Sequence, residues 1–207
     1  MCLILILSVW LGVKEYMMIR TVAHGVALNE AAAREIDGWR QMLFLVRRGV
    51  IVFIAIVFLI WFYRAFKNLV LGGVSNLRFS PAWAVGGFFI PFAFFVIPYM
   101  VMSELWKGSF ALVDEGSKAI WRDRPLGGNV VSWWALFLLM AIGSGVTSQY
   151  SIYARSIDSL LIVAVLQILF DIVSLAAAIF TILVIREVTE RQSKVIDIQA
   201  MVIKSCI

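Results

Sequence analysis

Residues 77–109 read LRFSPAWAVGGFFIPFAFFVIPYMVMSELWKGS. Ser80-Pro81 is a turn signal at its start, and Glu104, Trp106 and Lys107 close it with a polar, aromatic end. Between them, residues 82–102 run for 21 positions without a charge, the length and dryness of a bilayer crossing. Gly86, Gly87, Pro91 and Pro98 interrupt that run. Each proline removes a backbone donor and crowds the preceding turn, so a helix here is expected to bend or break. A re-entrant hairpin is the alternative geometry, if its open backbone is buried in protein or lines a wet cavity.

The rest of the chain has the same character. Of 207 residues, 62% are hydrophobic and 15% charged, where a soluble domain carries about a quarter charged. The apolar residues are gathered in long runs, so the bilayer is the solvent and every backbone polar group at that depth must be paired internally. The runs are too uniformly apolar for the alternating strands of a barrel, which leaves helices. The net charge of +5 fits a positive-inside bias and attraction to anionic lipid. Nucleic acid is not expected as a partner, because no basic run interleaved with aromatics lies outside the apolar runs.

Working outward, five spans are expected. The first is short, about 2–18, with Lys14 and Glu15 snorkelling. Residues 28–48 form an amphipathic linker helix with Asn29 as N-cap and Leu28, Ala32, Ile36, Trp39, Leu43 and Val46 at helical spacing. It lies at the membrane interface, lies in solvent, or runs on into the second span, 49–66. The third is 82–102. The fourth, 130–146, pairs Ala141 with Gly145 for close helix packing. The fifth, 160–185, is long enough to tilt. Residues 186–207 make an amphipathic tail with Val188, Val195, Ile198 and Val202 on one side. Trp61, Trp83, Trp106, Trp133 and Trp134 sit near span ends, where indoles anchor at the headgroups, and Tyr99 reads the same way. With five spans, 14 of the 18 Lys and Arg fall on one side, placing the C-terminus in the cytoplasm and the N-terminus outside.

Asp171, midway along the fifth span, is the candidate site residue. A carboxylate there costs about 2.5–3.5 kcal/mol even on the gentler insertion scale. No Lys, Arg or His lies in the uncharged core of another span, so no cationic partner is expected. The acid is then neutral, or it faces water or a bound cation. Gln167, Ser174, Ala178 and Thr181 extend a polar, small stripe along its face, and Ser144 and Thr147 on the fourth span are within expected reach. The functional reading is a proton or ion site; the structural one, weighted about two to one, is interhelical hydrogen bonding. No metal or other cofactor is expected: His24 is the only histidine, and Cys2 and Cys206 form no pair motif. No enzyme motif occurs. The serine of Gly143-Ser144-Gly145 has no intramembrane histidine to activate it, so the chain is read as no enzyme.

The order of features from the second span onward resembles a bacterial membrane family, domain of unknown function 4328. Trp61-Phe62-Tyr63-Arg64, the block Leu77-Arg78-Phe79-Ser80-Pro81-Ala82-Trp83-Ala84-Val85-Gly86, Pro91, Pro98-Tyr99, Glu104-Leu105-Trp106-Lys107-Gly108-Ser109, Trp133-Trp134 and Asp171 carry the resemblance, over about residues 50–190. The sequence departs from the family pattern at Phe94, where that pattern places an asparagine. The resemblance implies a multi-pass protein of the bacterial inner membrane and brings no activity, substrate or catalytic residue with it.

The expectation is an all-α polytopic bundle of four firm spans plus a short first one. Its leading function is non-enzymatic, through lipid, a membrane-protein partner or self-assembly into a homo-oligomer. A small proton, ion or solute transporter or channel with Asp171 on the pathway is the alternative. An intramembrane enzyme ranks third.

Overall fold

The structure, a computed structural model, describes residues 1–27, 30–114 and 120–205, with the backbone alone for 195–205. Of the described residues 84% are helical, and no strand occurs among them. In order come α1 (Cys2–Ala23), α2 (Glu30–Leu71), α3 (Pro81–Gly86), α4 (Ile97–Val113), α5 (Gly128–Tyr153) and α6 (Ile157–Ser205). Short 3-10 turns lie at Ala93–Phe95 and Trp121–Asp123. Among the described residues four helices are long and apolar enough to cross a membrane: α1, α2, α5, and α6 over Ile157–Lys194. The expected cap Asn29, together with Leu28, Glu115–Ala119 and Cys206, lies outside the described residues, as do the side chains of Val195, Ile198 and Val202.

One boundary moves from where periodicity put it, and the linker takes the last of its three expected courses. The first apolar run continues through Lys14 and Glu15 into a helix of 22 residues. The linker and the second span are one helix of 42 residues, because nothing between Glu30 and Leu71 breaks it. It stops at Gly72-Gly73. There the Val74 N–H bonds the Leu69 carbonyl at 3.1 Å and the Gly73 N–H bonds Val70 at 3.2 Å. Gly73 takes φ +73°, completing a Schellman cap.

The expected break in the third run is present: residues 82–102 are no single helix. Ser80 caps α3 by accepting the Trp83 N–H at 3.4 Å, with Pro81 in its first turn, and α3 ends at Gly86 after 6 residues. The chain then reverses. Ala93 N–H bonds the Pro91 carbonyl at 2.8 Å across Phe92, whose φ is +64°. This is a γ-turn of the rarer, positive-φ kind, a strained conformation of order 1–3 kcal/mol. Pro98 does not kink a helix; it sits in the first turn of α4, where its missing donor has no cost. A Cβ on Gly87 would lie 2.3 Å from Ile97 Cγ2, so the returning chain packs where only glycine leaves room. Gly86 faces open space.

The chain divides into two compact units. The first joins Met1–Ile54 with Ala135–Ile179. Its interior holds Leu5, Leu11, Ala164 and Ala177. Close helix packing occurs at Gly143, buried against the Phe170 ring, and not at the expected Ala141–Gly145 pair, since Gly145 is open. The second unit joins Ala55–Trp134 with Phe180–Ile207. Its core includes Phe62, Phe66, Leu69, Val101, Met102 and Leu105. The Phe62 ring stacks on Phe58 at 5.5 Å and meets Phe88 edge-on at 5.8 Å.

Three expected interface anchors are core residues of the second unit. Trp133 and Trp134 are buried, Trp134 stacked on Tyr99 at 6.2 Å. Trp106 is buried with its indole N–H on Glu187 at 2.8 Å. A fixed carboxylate partner satisfies the buried indole N–H within the unit. Trp61 is half-buried and donates to Thr189 Oγ1 at 3.1 Å; Trp83 remains exposed.

Candidate functional site

In the first unit the polar cluster is built on Asp171. α1 buries Leu5, Leu11 and Gly12, and Ser8 lies on the same stripe, one turn from Leu5. Arg40 and Arg47 stand two turns apart on α2 and so share a face. Gln167 precedes Asp171 by one turn on α6. Asp171 is fully buried. Its Oδ2 accepts the Ser8 hydroxyl at 2.6 Å, and its Oδ1 accepts Arg47 Nη1 at 2.6 Å and Gln167 Nε2 at 3.3 Å. Two turns along α1 and α2, Glu15 and Arg40 form a second ion pair. A cavity of about 140 Å³ lies beside these groups, lined by Ser8, Gly12, Arg40, Phe44, Arg47 and Gln167.

The expectation that Asp171 has no cationic partner is therefore corrected: Arg47 is that partner. Arg47 stands one turn before the uninterrupted apolar run of α2, and its long side chain reaches inward from there. Of the other residues assigned to the site, Gln167 touches Asp171. Ser174 is buried but donates to the Phe170 carbonyl at 2.7 Å. Ser144 is exposed and bonds its own helix at Ala141 O, 3.1 Å; Thr147 bonds Gly143 O at 2.9 Å. A hydroxyl within a helix finds the carbonyl one turn back more easily than a distant carboxylate. Thr181 belongs to the second unit and is not part of this cluster.

The second unit has two carboxylates of its own, Glu187 part-exposed and Glu104 buried. Glu187 on α6 accepts Trp106 Nε1 and Asn129 Nδ2 and pairs with Arg191 at 3.6 Å. The Arg191 guanidinium lies over Phe110 at 3.9 Å and Trp106 at 4.6 Å. One turn farther along α6, Gln192 accepts Asn68 Nδ2 and donates to the Ala65 carbonyl, both at 2.9 Å. On α4, Glu104 accepts the Arg78 backbone N–H at 2.9 and 3.2 Å, with Arg122 at 3.8 Å. Glu104 thus ties α4 to the loop before α3.

Burial pushes the Glu104 carboxyl above its ordinary value of 4.5, against the opposing pull of the Arg78 and Phe79 backbone N–H groups and the Arg122 and Arg78 charges. The folded protein then holds this proton more tightly than the unfolded chain. The stabilisation is full below the ordinary value and is lost as pH rises through the raised one. The Glu104→Gln variant is expected to gain stability relative to wild type as pH rises from 4 towards 7. Thermal unfolding in detergent micelles across that range checks it; a constant difference between the two proteins would show that no such linkage exists.

Comparison with curated proteins and with solved structures finds no match. Among family models, the one described as domain of unknown function (DUF4328) matches residues 24–190, which include α2 through most of α6 and so the groups above except those of α1 and Arg191 and Gln192. The chain belongs to the DUF4328 family.

Proposed function

We propose that the protein is a non-enzymatic integral membrane protein that works through contacts with lipid, a membrane-protein partner or copies of itself. The saturation of Asp171 carries this reading. A carboxylate that already accepts a guanidinium, a hydroxyl and an amide is charge-balanced and bonded on both oxygens, which suits a fastener joining α1, α2 and α6 better than a proton carrier. The outward faces support the bilayer as surroundings. In the most apolar 18 residues of α2 no side chain is buried, an apolar surface that lipid covers.

In this reading α1, α2, α5 and α6 cross and residues 81–96 dip into one leaflet and return. Both termini and the segment between α2 and α5 then share a side holding 11 of the 18 Lys and Arg. The charge rule still assigns the C-terminus to the cytoplasm, now with the N-terminus beside it. The bilayer is that of a bacterial inner membrane, as the family resemblance suggests.

The cavity beside Arg47 and Asp171 favours the second reading, a small transporter or channel. Purified protein in liposomes separates the two. Proton flux followed with a trapped pH dye, and cation flux with an ion-selective dye, are expected to match protein-free liposomes for wild type and Asp171→Asn alike. Flux in wild type that vanishes in Asp171→Asn would put Asp171 on a pathway and install the transport reading instead.

A further inference from the structure

A cavity of about 210 Å³ opens in the second unit beside Arg78, the first turns of α4 and the Trp121–Asp123 turn. Its polar lining is Arg78, Tyr99, Ser103, Glu104, Lys107 and Arg122. Three cations meet one carboxylate there. That carboxylate is already occupied by the Arg78 backbone and Arg122. The Arg78 guanidinium is exposed and makes no ion pair among the described residues, and the Tyr99 hydroxyl makes no hydrogen bond among them. Lys107 uses one proton on the Arg122 carbonyl at 2.9 Å, leaving two to donate. Arg122 lies over the Trp121 ring at 5.3 Å, which steadies its plane.

We propose that this cup binds the phosphate group of an anionic phospholipid. Guanidinium, ammonium and phenol are all donors, and a phosphate is an acceptor on every side, so the spare donors match it and do not match a cation. Attachment to a lipid follows from what adjoins the cup. Phe79, Met100 and Trp121 complete its wall. From Phe79 the chain passes into the uncharged stretch that exposes Trp83, Phe89 and Phe92, side chains suited to acyl chains. This inference rests on the membrane reading above and narrows it to a headgroup class.

The test uses the full-length protein in detergent, titrated with short-chain phosphatidylglycerol, with phosphatidylcholine and with inorganic phosphate, binding being read by native mass spectrometry. Phosphatidylglycerol is expected to bind in preference to phosphatidylcholine. Arg78→Ala and Lys107→Ala should each weaken it about fivefold, the equivalent of about 1 kcal/mol per basic residue at a membrane surface. Tyr99→Phe keeps the ring stacked on Trp134 and should weaken it less, while Arg155→Ala, an exposed base in the other unit, should change nothing. Equal binding of the two lipids, or a preference that survives both Arg78→Ala and Lys107→Ala, would overturn the proposal. So would displacement of the lipid by millimolar inorganic phosphate, which would make the cup a free-phosphate site. Asp171-dependent flux in liposomes would instead remove the non-transport reading and leave the lipid titration to stand or fall by itself.

Discussion

Arg47→Ala is expected to destabilise the protein by about 3 kcal/mol, at the lower edge of what breaking a buried ion pair costs. The two partners are not equivalent. The Asp171 side chain is 1% exposed and that of Arg47 24%. Removing the arginine strands a carboxylate with only Ser8 and Gln167 to hold its charge. Asp171→Asn strands a guanidinium on a long stem that can swing towards the headgroups, so it should cost less, about 1–2 kcal/mol. The double variant Arg47→Met/Asp171→Leu removes both charges and should recover to within about 1 kcal/mol of wild type, because an apolar pair of similar volume needs no desolvation. Unfolding by SDS in mixed micelles, followed by far-ultraviolet circular dichroism, measures all three. If Arg47→Ala and Asp171→Asn cost the same and the double variant costs their sum, the two residues act separately and the fastener assigned to them does not exist.

The half of this cluster on α6 was legible in the sequence, and the half facing it was not. Asp171 is a charge in an apolar run, and Gln167 lies one turn away on the same helix, so spacing alone joins them. Arg47 lies outside the run of its own helix, where basic residues ordinarily mark a membrane boundary. Its inward reach depends on how far α2 is offset along α6, which no local pattern records. Ser8 carries still less signal, since a lone serine in an apolar helix normally bonds its own backbone. The one hint was the repeat of Arg40 and Arg47 at two turns, with Glu15 and Ser8 at the matching interval on α1.

The fold was legible to the same depth. Continuous apolar runs with no breaker became α1, α2, α5 and α6, because local hydrogen bonding decides them. Residues 82–102 have the length of a span, and their glycines and prolines leave a bend, a break or a re-entrant hairpin open. What turned the bend into a reversal is a contact between Gly87 and Ile97, ten positions apart in the sequence, and that is tertiary packing. The tryptophans mislead for a related reason. Trp106 and Trp133 look like headgroup anchors by position, yet each is buried in the second unit.

Glu187→Ala is expected to cost about 3 kcal/mol. Glu187 is where α6 takes hold of the second unit, as Asp171 is in the first. Its carboxylate gathers the Trp106 indole N–H from α4, the Asn129 amide from the first turn of α5 and the Arg191 guanidinium from α6 itself. Without it, a buried indole N–H is left unsatisfied, at about 1–3 kcal/mol. The Arg191 guanidinium also loses its counter-charge, though it keeps the faces of Phe110 and Trp106 and a 3.3 Å bond to Ser109 Oγ. Glu187→Gln separates these losses. An amide oxygen still accepts the Trp106 N–H, but its NH2 confronts Asn129 and the charge is gone, so about half the loss should remain. A double-mutant cycle with Trp106→Phe isolates the indole bond, for which a coupling of about 1 kcal/mol is expected. Zero coupling, with Glu187→Ala as mild as a surface substitution, would mean that apolar packing holds α4 against α6 and the carboxylate only decorates the contact.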